Sequence, residues 1–218
     1  MTADSRPSYR IYLAGPMVFY PDPEPAFCRM REICRRHGLV GVSPLDNQIG
    51  LEGLAPDRDL LERIVKADVE LMDRLDGGLF CLDGFRRSPE MDPGTAFEIG
   101  YMRALRKPIV GWTSDPRDYP AKVRDYFENT FGLPLLAAEP GAKGGSSGTM
   151  RDPDGILVHS QACLQNAMID IGIASAGGQV FAHPDWETAF AQAAVHMVGM
   201  MGRRPQGGSL YDFPPNTT

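Results

Sequence analysis

The chain has 218 residues, 43% hydrophobic and 23% charged, with a formal net charge of −6; this composition suits a globular protein with one well-buried core. The acidic balance argues against a nucleic-acid polymer as partner, since phosphate backbones are held by basic patches. No apolar run is long enough to span a bilayer, and the start Met-Thr-Ala-Asp-Ser-Arg-Pro has no apolar signal core, so neither a membrane nor secretion is expected, and a cytoplasmic protein is.

Arg10 to Ala14 is a short apolar run stopped by Gly15-Pro16 and reads as a first buried strand followed by a tight loop. A helix is predicted from Glu24 to His37, closed by Gly38. Leu39 to Val42 reads as a second strand, and Asp59 to Leu75 carries Leu60, Leu61, Ile64, Val65, Val69 and Leu71 at near-helical spacing. Gly78 to Leu82 is a third strand, Thr95 to Leu105 a helix and Pro108 to Trp112 a fourth strand. Such alternation argues for a parallel sheet covered on both faces, with ligands beyond the carboxyl ends of its strands. The loops after Ala14, Val42 and Leu82 are therefore where chemistry is sought.

From Thr113 to about Ser160 the pattern degrades among Pro116, Pro120, Pro134 and Pro140, and Glu139 to Asp154, with Gly144-Gly-Ser-Ser-Gly148, reads as a flexible surface excursion from a single domain. Regular structure is expected again over Cys163 to Ile171 and over His183 to Met201, the latter an amphipathic helix. The aromatic tail Gly207 to Pro215 is suited to docking on a neighbouring subunit or to fraying. Cys28, Cys34, Cys81 and Cys163 show no paired spacing and are expected to be buried thiols. His37, His159, His183 and His196 show no ligand spacing, and no G-x-G-x-x-G follows the first strand, so neither a metal nor a dinucleotide cofactor is expected.

The densest polar cluster is Met91-Asp92-Pro93-Gly94-Thr95-Ala96-Phe97-Glu98-Ile99-Gly100. Thr95 and Glu98 fit a T-x-x-E capping box, in which both side chains only satisfy helix N–H groups. The competing reading is chemical. A glutamate in a helix's first turn at the carboxyl end of a parallel sheet feels a dipole that keeps it ionised, and an ionised, poorly solvated carboxylate can attack an anomeric carbon. Gly94 beside it allows a ligand close to the backbone. Retaining cleavage of a glycosidic bond needs a second acid to protonate the leaving group, for which Asp68 and Asp92 are the candidates. Asp68 alone also reads as a solvated helix residue, and Tyr12 as an ordinary strand aromatic.

Five strings together resemble the nucleoside 2-deoxyribosyltransferase family: Ile11-Tyr-Leu-Ala-Gly-Pro16, Ser43-Pro-Leu-Asp-Asn-Gln48, Asp68 ahead of Asp76-Gly-Gly-Leu-Phe80, Asp92-Pro-Gly-Thr-Ala-Phe-Glu-Ile-Gly-Tyr101, and Asn166-Ala-Met168. The resemblance favours the chemical reading of Glu98 over the capping box. It implies a flavodoxin-like α/β three-layer sandwich on a five-stranded parallel sheet, and transfer of 2-deoxyribose between nucleobases without a cofactor. Glu98 would attack C1′ and hold the sugar as an ester, with Tyr12 orienting it. Asp68 and Asp92 would supply the proton and hold the base or the sugar hydroxyls. Gly15, Pro16, Gln48 and Gly94 would line the substrate, with Gln48 against the base.

Asn166 and Met168 match positions that reach a neighbouring subunit's site, which implies a homo-oligomer built from dimers. The family often lends a carboxyl-terminal carboxylate to the neighbouring site; this chain continues through Pro214-Pro-Asn-Thr-Thr218, with Tyr211 or Asp212 as candidate substitutes. A related branch hydrolyses 2′-deoxynucleoside 5′-monophosphates and carries a serine where this chain has Asp92. A carboxylate there would repel a phosphate by about 1 kcal/mol in water at 4 Å and by more in a pocket, which favours unphosphorylated nucleosides and free nucleobases as partners. Hydrolysis in place of transfer stays an alternative, decided by whether a base outcompetes water for the glycosyl enzyme; a binding module without turnover is another, against which stands the presence of Tyr12, Asp68, Asp92 and Glu98 together.

Overall fold

In the computed structural model, which describes residues 8–48, 50, 55, 57–138, 141 and 149–202, the chain runs β1 (Tyr9–Ala14), α1 (Glu24–Arg36), β2 (Leu39–Val42), α2 (Arg58–Arg74), β3 (Gly77–Cys81), α3 (Pro93–Ala104), β4 (Ile109–Thr113) and α4 (Tyr119–Phe131). Three short strands follow, β5 (Leu136–Ala137), β6 (Met150–Arg151) and β7 (Leu157–Val158), then α5 (Ala167–Ser175), β8 (Val180–Ala182) and α6 (Trp186–Met201). Five strands form one parallel sheet in the order β2-β1-β3-β4-β8. This is the doubly wound flavodoxin-like order, whose ligand crevice opens where the winding reverses, between β1 and β3.

Alternation along the strands divides the core into two layers. Ile11, Leu13, Leu79, Cys81, Val110 and Trp112 face Phe27, Met30 and Ile33 of α1 and Phe190, Ala193 and Met197 of α6. Tyr12, Ala14, Phe80 and Leu82 face Leu71 and Met72 of α2, Ile99 and Met102 of α3 and Ile173 of α5. No helix among the described residues is long and apolar enough to cross a membrane.

The expected first four strands and the helices through α3 form within a residue or two of their predicted bounds. The stretch after β4 differs most. Asp118 caps α4 by accepting from Ala121 N, Pro120 lies in the first turn where no N–H is needed, and Gly132 closes the helix in the left-handed conformation at φ 66°. The prolines that make this stretch look irregular therefore include one that starts a helix. β5, β6 and β7 form an antiparallel sheet, and Tyr119, Val123, Leu135 and Val158 bury a small core beside it. Of the expected excursion, residues 139–140 and 142–148 lie outside the described residues, whereas Met150–Arg151 is the sheet's middle strand. α5 begins later than expected, because Asn166 is its cap. Three cysteines are buried, but Cys28 is exposed on α1 with its thiol on Glu24, contrary to the expectation for all four. The aromatic tail lies outside the described residues.

The carboxyl end of α2 is fixed by Lys107, whose Nζ donates to the carbonyls of Met72, Asp73 and Leu75, each at 2.7 Å. One ammonium thus satisfies three carbonyls that the helix end leaves open. Lys107→Met is expected to lower unfolding free energy by about 1.5–3 kcal/mol, the range for hydrogen bonds to a charged group; urea unfolding would measure it, and no loss would mean that water replaces the ammonium without cost.

Candidate active site

Position 12 lies on the β1 face that looks toward α2 and α3, between Val42 on β2 and Gly78 on β3. Its side chain is fully buried, and its hydroxyl donates to Glu98 Oε1 at 2.6 Å. Glu98 stands in the second turn of α3, six residues from Asp92, which is the N-cap. This corrects two expectations. Thr95 is no cap, since Asp92 Oδ2 accepts both Thr95 N at 2.8 Å and Thr95 Oγ1 at 2.9 Å. Glu98 is too far along the helix for the N-terminal dipole, which fades after the first turn, to hold it ionised. Burial pushes its carboxyl up to about 8; the Tyr12 hydrogen bond pulls it down and the charges of Asp68 and Asp92 push it further up. Desolvation outweighs the Tyr12 hydrogen bond, so the carboxyl is held well above the usual carboxylate range.

The loop after β2 shows why its string has that composition. Ser43 and Asp46 make a reciprocal cap of the 3-10 turn Pro44–Asn47. Arg31 of α1 reaches Ser43 Oγ at 3.0 Å and Asp46 Oδ1 at 2.8 Å. Asn47 donates to Ala67 O at 2.6 Å and accepts from Arg74 at 3.1 Å, tying the loop to α2. Gln48 at the end of this turn instead directs its Nε2 toward Asp68 Oδ1 at 3.4 Å. Asp68 is half-buried, and not the solvated helix residue its surroundings in the chain suggest; burial raises it to about 6, opposed by the Gln48 amide.

Asp92 is buried and makes no hydrogen bond through Oδ1 among the described residues. Glycine at 94 spares this cap from crowding, since a Cβ there would come within 3.1 Å of Asp92 Oδ2, the oxygen that holds Thr95. Gly15 serves close packing: a Cβ would meet the Cβ of Cys81 at 2.5 Å, so only glycine lets the chain leave β1 across β3. Pro16 then opens a buried 3-10 turn ending at Phe19, whose exposed ring lies 5.3 Å from that of Phe85 in the loop after β3. Asn166 caps α5 by accepting from Met168 N at 3.0 Å, and Met168 is 84% exposed. Neither hydrogen-bonds with Tyr12, Asp68, Asp92 or Glu98. The structure thus joins Tyr12 with Glu98 and Gln48 with Asp68, sets both pairs beside Asp92, and leaves Asn166 and Met168 at the rim of the monomer.

Two polar residues at this end of the sheet were not foreseen. Asp83, just past β3, accepts from Thr113 Oγ1 at 2.6 Å, Ser114 N at 2.7 Å and Ser114 Oγ at 2.8 Å, stapling the ends of β3 and β4. Gln165 is fully buried against the loop after β3. The only signal for Asp83 is its place immediately beyond a buried strand; Gln165 sits in a stretch without periodicity and offers none. Among the described residues no three His, Cys, Asp or Glu side chains come together to hold a metal ion.

A flavodoxin-like sheet thus pairs the fully buried Tyr12 with the half-buried Glu98 across the β1/β3 crevice. The chain belongs to the nucleoside 2-deoxyribosyltransferase family, whose model matches residues 11–168. It is 46% identical over 183 residues to an uncharacterized protein of Schizosaccharomyces pombe, covering 84% of this chain and 85% of that one. Among solved structures it is similar to a 2-desoxiribosyltransferase from Leishmania mexicana, with a TM-score of 0.56 and 25% identity over 86% of this chain and 98% of the other.

A carboxyl held at about 8 when folded and near 4.5 when free costs stability as pH rises between those values, because ionising it opposes burial. Glu98→Gln removes that cost and keeps an acceptor for Tyr12. Thermal melts are expected to give the variant a higher Tm than the native chain, with a margin that grows through this interval and is constant above it. A margin that shrinks with rising pH would refute the assigned charge state.

Proposed function

We propose that the protein transfers 2-deoxyribose between nucleobases by way of a glycosyl ester on Glu98. The observation that carries this reading is the 2.6 Å hydrogen bond from the buried Tyr12 hydroxyl to Glu98 Oε1, which steadies one carboxylate oxygen and leaves Oε2 to react. In the first half-reaction Oε2 bonds to C1′ as the C1′–N bond breaks, and the electron pair departs with the base. Asp68, with its value raised toward neutrality, supplies the proton the base nitrogen takes up. Asp92 is less suited to give a proton, since its Oδ2 already accepts two hydrogen bonds; Oδ1 is placed to accept one from a sugar hydroxyl or a base amine. In the second half-reaction a nitrogen of the incoming base attacks C1′, the ester bond breaks, and the proton returns to Asp68.

Gln48 lies within reach of the same base through its amide. Phe97, 58% exposed and stacked on Tyr101, and Met168 and Ile171 of α5 are apolar surface on adjacent helices, which supports assembly as dimers and larger homo-oligomers. The reading carries with it a role in nucleobase salvage in the cytoplasm.

Incubation with 2′-deoxyinosine and adenine, without added metal or phosphate, is expected to yield 2′-deoxyadenosine and hypoxanthine by chromatography. Free deoxyribose alone would replace transfer with hydrolysis, and no turnover would leave a binding module. Glu98→Ala is expected to abolish turnover while the fold survives.

The pH profile follows from the carboxyl pair. Between about 6 and about 8 it holds one proton, the count that one nucleophile and one acid require. The kcat/KM of exchange is therefore expected to be bell-shaped with limbs near those values. Tyr12→Phe removes the interaction that lowers Glu98, so it should reduce kcat and move the alkaline limb upward. A downward move would contradict the role given to Tyr12.

A further inference from the structure

The segment between β4 and α5 makes one contact with the candidate site that its own folding does not require. Gln165 is fully buried, and all of its amide is used. Nε2 donates to Pro89 O at 3.1 Å and approaches Leu82 O at 3.4 Å, while Oε1 accepts from Asn166 N at 3.0 Å. Leu82 and Pro89 are the two ends of the loop that leaves β3 and delivers Asp92. Within itself that loop is a small hairpin, with Phe85 N on Glu90 O at 2.8 Å and a bridge between Gly84 and Met91. These bonds fix its shape, and Asp83 ties its outgoing side to the end of β4; its returning side, at Pro89, is held by Gln165.

The support on which Gln165 stands is rigid. Lys122 of α4 donates to Leu164 O at 2.7 Å, Leu164 N donates to Asp170 of α5 at 2.7 Å, and Tyr119 N donates to Cys163 O at 2.8 Å. Tyr119 also sends its hydroxyl to Glu90, a second tie from α4 to the same loop. Glutamine is the fitting residue because a donor pair is needed for two carbonyls and an acceptor for one N–H. A glutamate would turn a charged oxygen on those carbonyls, and an apolar residue would leave them buried and unpaired.

We propose that Gln165 is a positioning residue, which sets the loop carrying Asp92 against the start of α5 and so fixes where Asp92 stands in the site. The inference rests on the transferase reading for its kinetic consequence and on geometry alone for its structural one. The segment from α4 through β7 then acts as a frame for the site, although none of its described residues hydrogen-bonds with Glu98.

The test compares Gln165→Glu, of equal size, and Gln165→Asn, which keeps the amide but is one methylene short, with Lys107→Met as a variant destabilised far from the site. Base exchange between 2′-deoxyinosine and adenine is expected to lose about tenfold to a hundredfold in kcat in both Gln165 variants, the cost of slight misplacement, with a much smaller change in KM. Lys107→Met should keep kcat while its Tm falls. Amide hydrogen exchange over residues 83–91 should quicken in the Gln165 variants and stay unchanged in Lys107→Met. Unchanged exchange over that loop would overturn the proposal, as would native kcat in both Gln165 variants. If the native chain shows no base exchange, the transferase reading fails by itself, and loop exchange still decides the role of Gln165.

Discussion

A carboxylate taken out of water at the edge of a parallel sheet is the constraint from which the rest of this molecule follows. Desolvating an ion costs several kcal/mol even after the surroundings relax, and a hydrogen bond to a charged group returns about 1.5–3 kcal/mol. Tyr12 therefore cannot keep Glu98 ionised unaided, and the carboxyl rises to about 8. That imbalance suits a nucleophile: a fully solvated glutamate would be ionised but shielded by water. The tyrosine holds the group in place without quenching it, and the hydroxyl is itself fixed because its ring is buried between β2 and β3.

Keeping so costly a group in register explains how the polar residues around it are used. Most of the loop after β2 is occupied with its own anchorage: Ser43 with Asp46, Arg31 with both, Asn47 with α2. The loop after β3 is held by Gln165 and by Tyr119 on Glu90. Gly15 and Gly94 contribute by lacking side chains, one so that two strands can approach and one so that the Asp92 cap is not crowded. Few side chains face the substrate space, and each of them is steadied by others that do not.

This division of labour decides what could be read from the chain. Buried strands announce themselves as apolar runs between turn residues, and β1 to β4 were legible for that reason. Helices α1 to α3 were legible by spacing. α4 was not, because Pro120 reads as a breaker until Asp118 before it and Gly132 after it are weighed as caps. The two-residue strands β5 to β7 are too short for a period to show. At the site, Glu98, Asp92, Asp68 and Gln48 stood out through strings resembling a family, while their charge states did not. The dipole argument put Glu98 one turn too early and omitted desolvation, which is a property of the packed layer and not of the string. The capping-box pattern over Thr95 and Glu98 misled in the same way, since Asp92 takes the cap and releases Glu98 for Tyr12.

The arrangement of protons over this pair then bears on how the proposed turnover begins. With Glu98 pushed up to about 8 and Asp68 to about 6, a shared proton favours Glu98, whereas the proposed attack on C1′ requires it on Asp68. Moving it runs uphill by at most roughly 3 kcal/mol, an upper bound that solvent screening of the half-buried Asp68 lowers. A bound nucleoside can supply the difference. Its base nitrogen, set against Asp68, accepts a hydrogen bond only if that carboxyl carries the proton, and its sugar displaces the water that would otherwise compete for Glu98. On the proposed transfer reading, attack therefore depends on the substrate, because a glutamate ionised without a base beside Asp68 would lack that coupling.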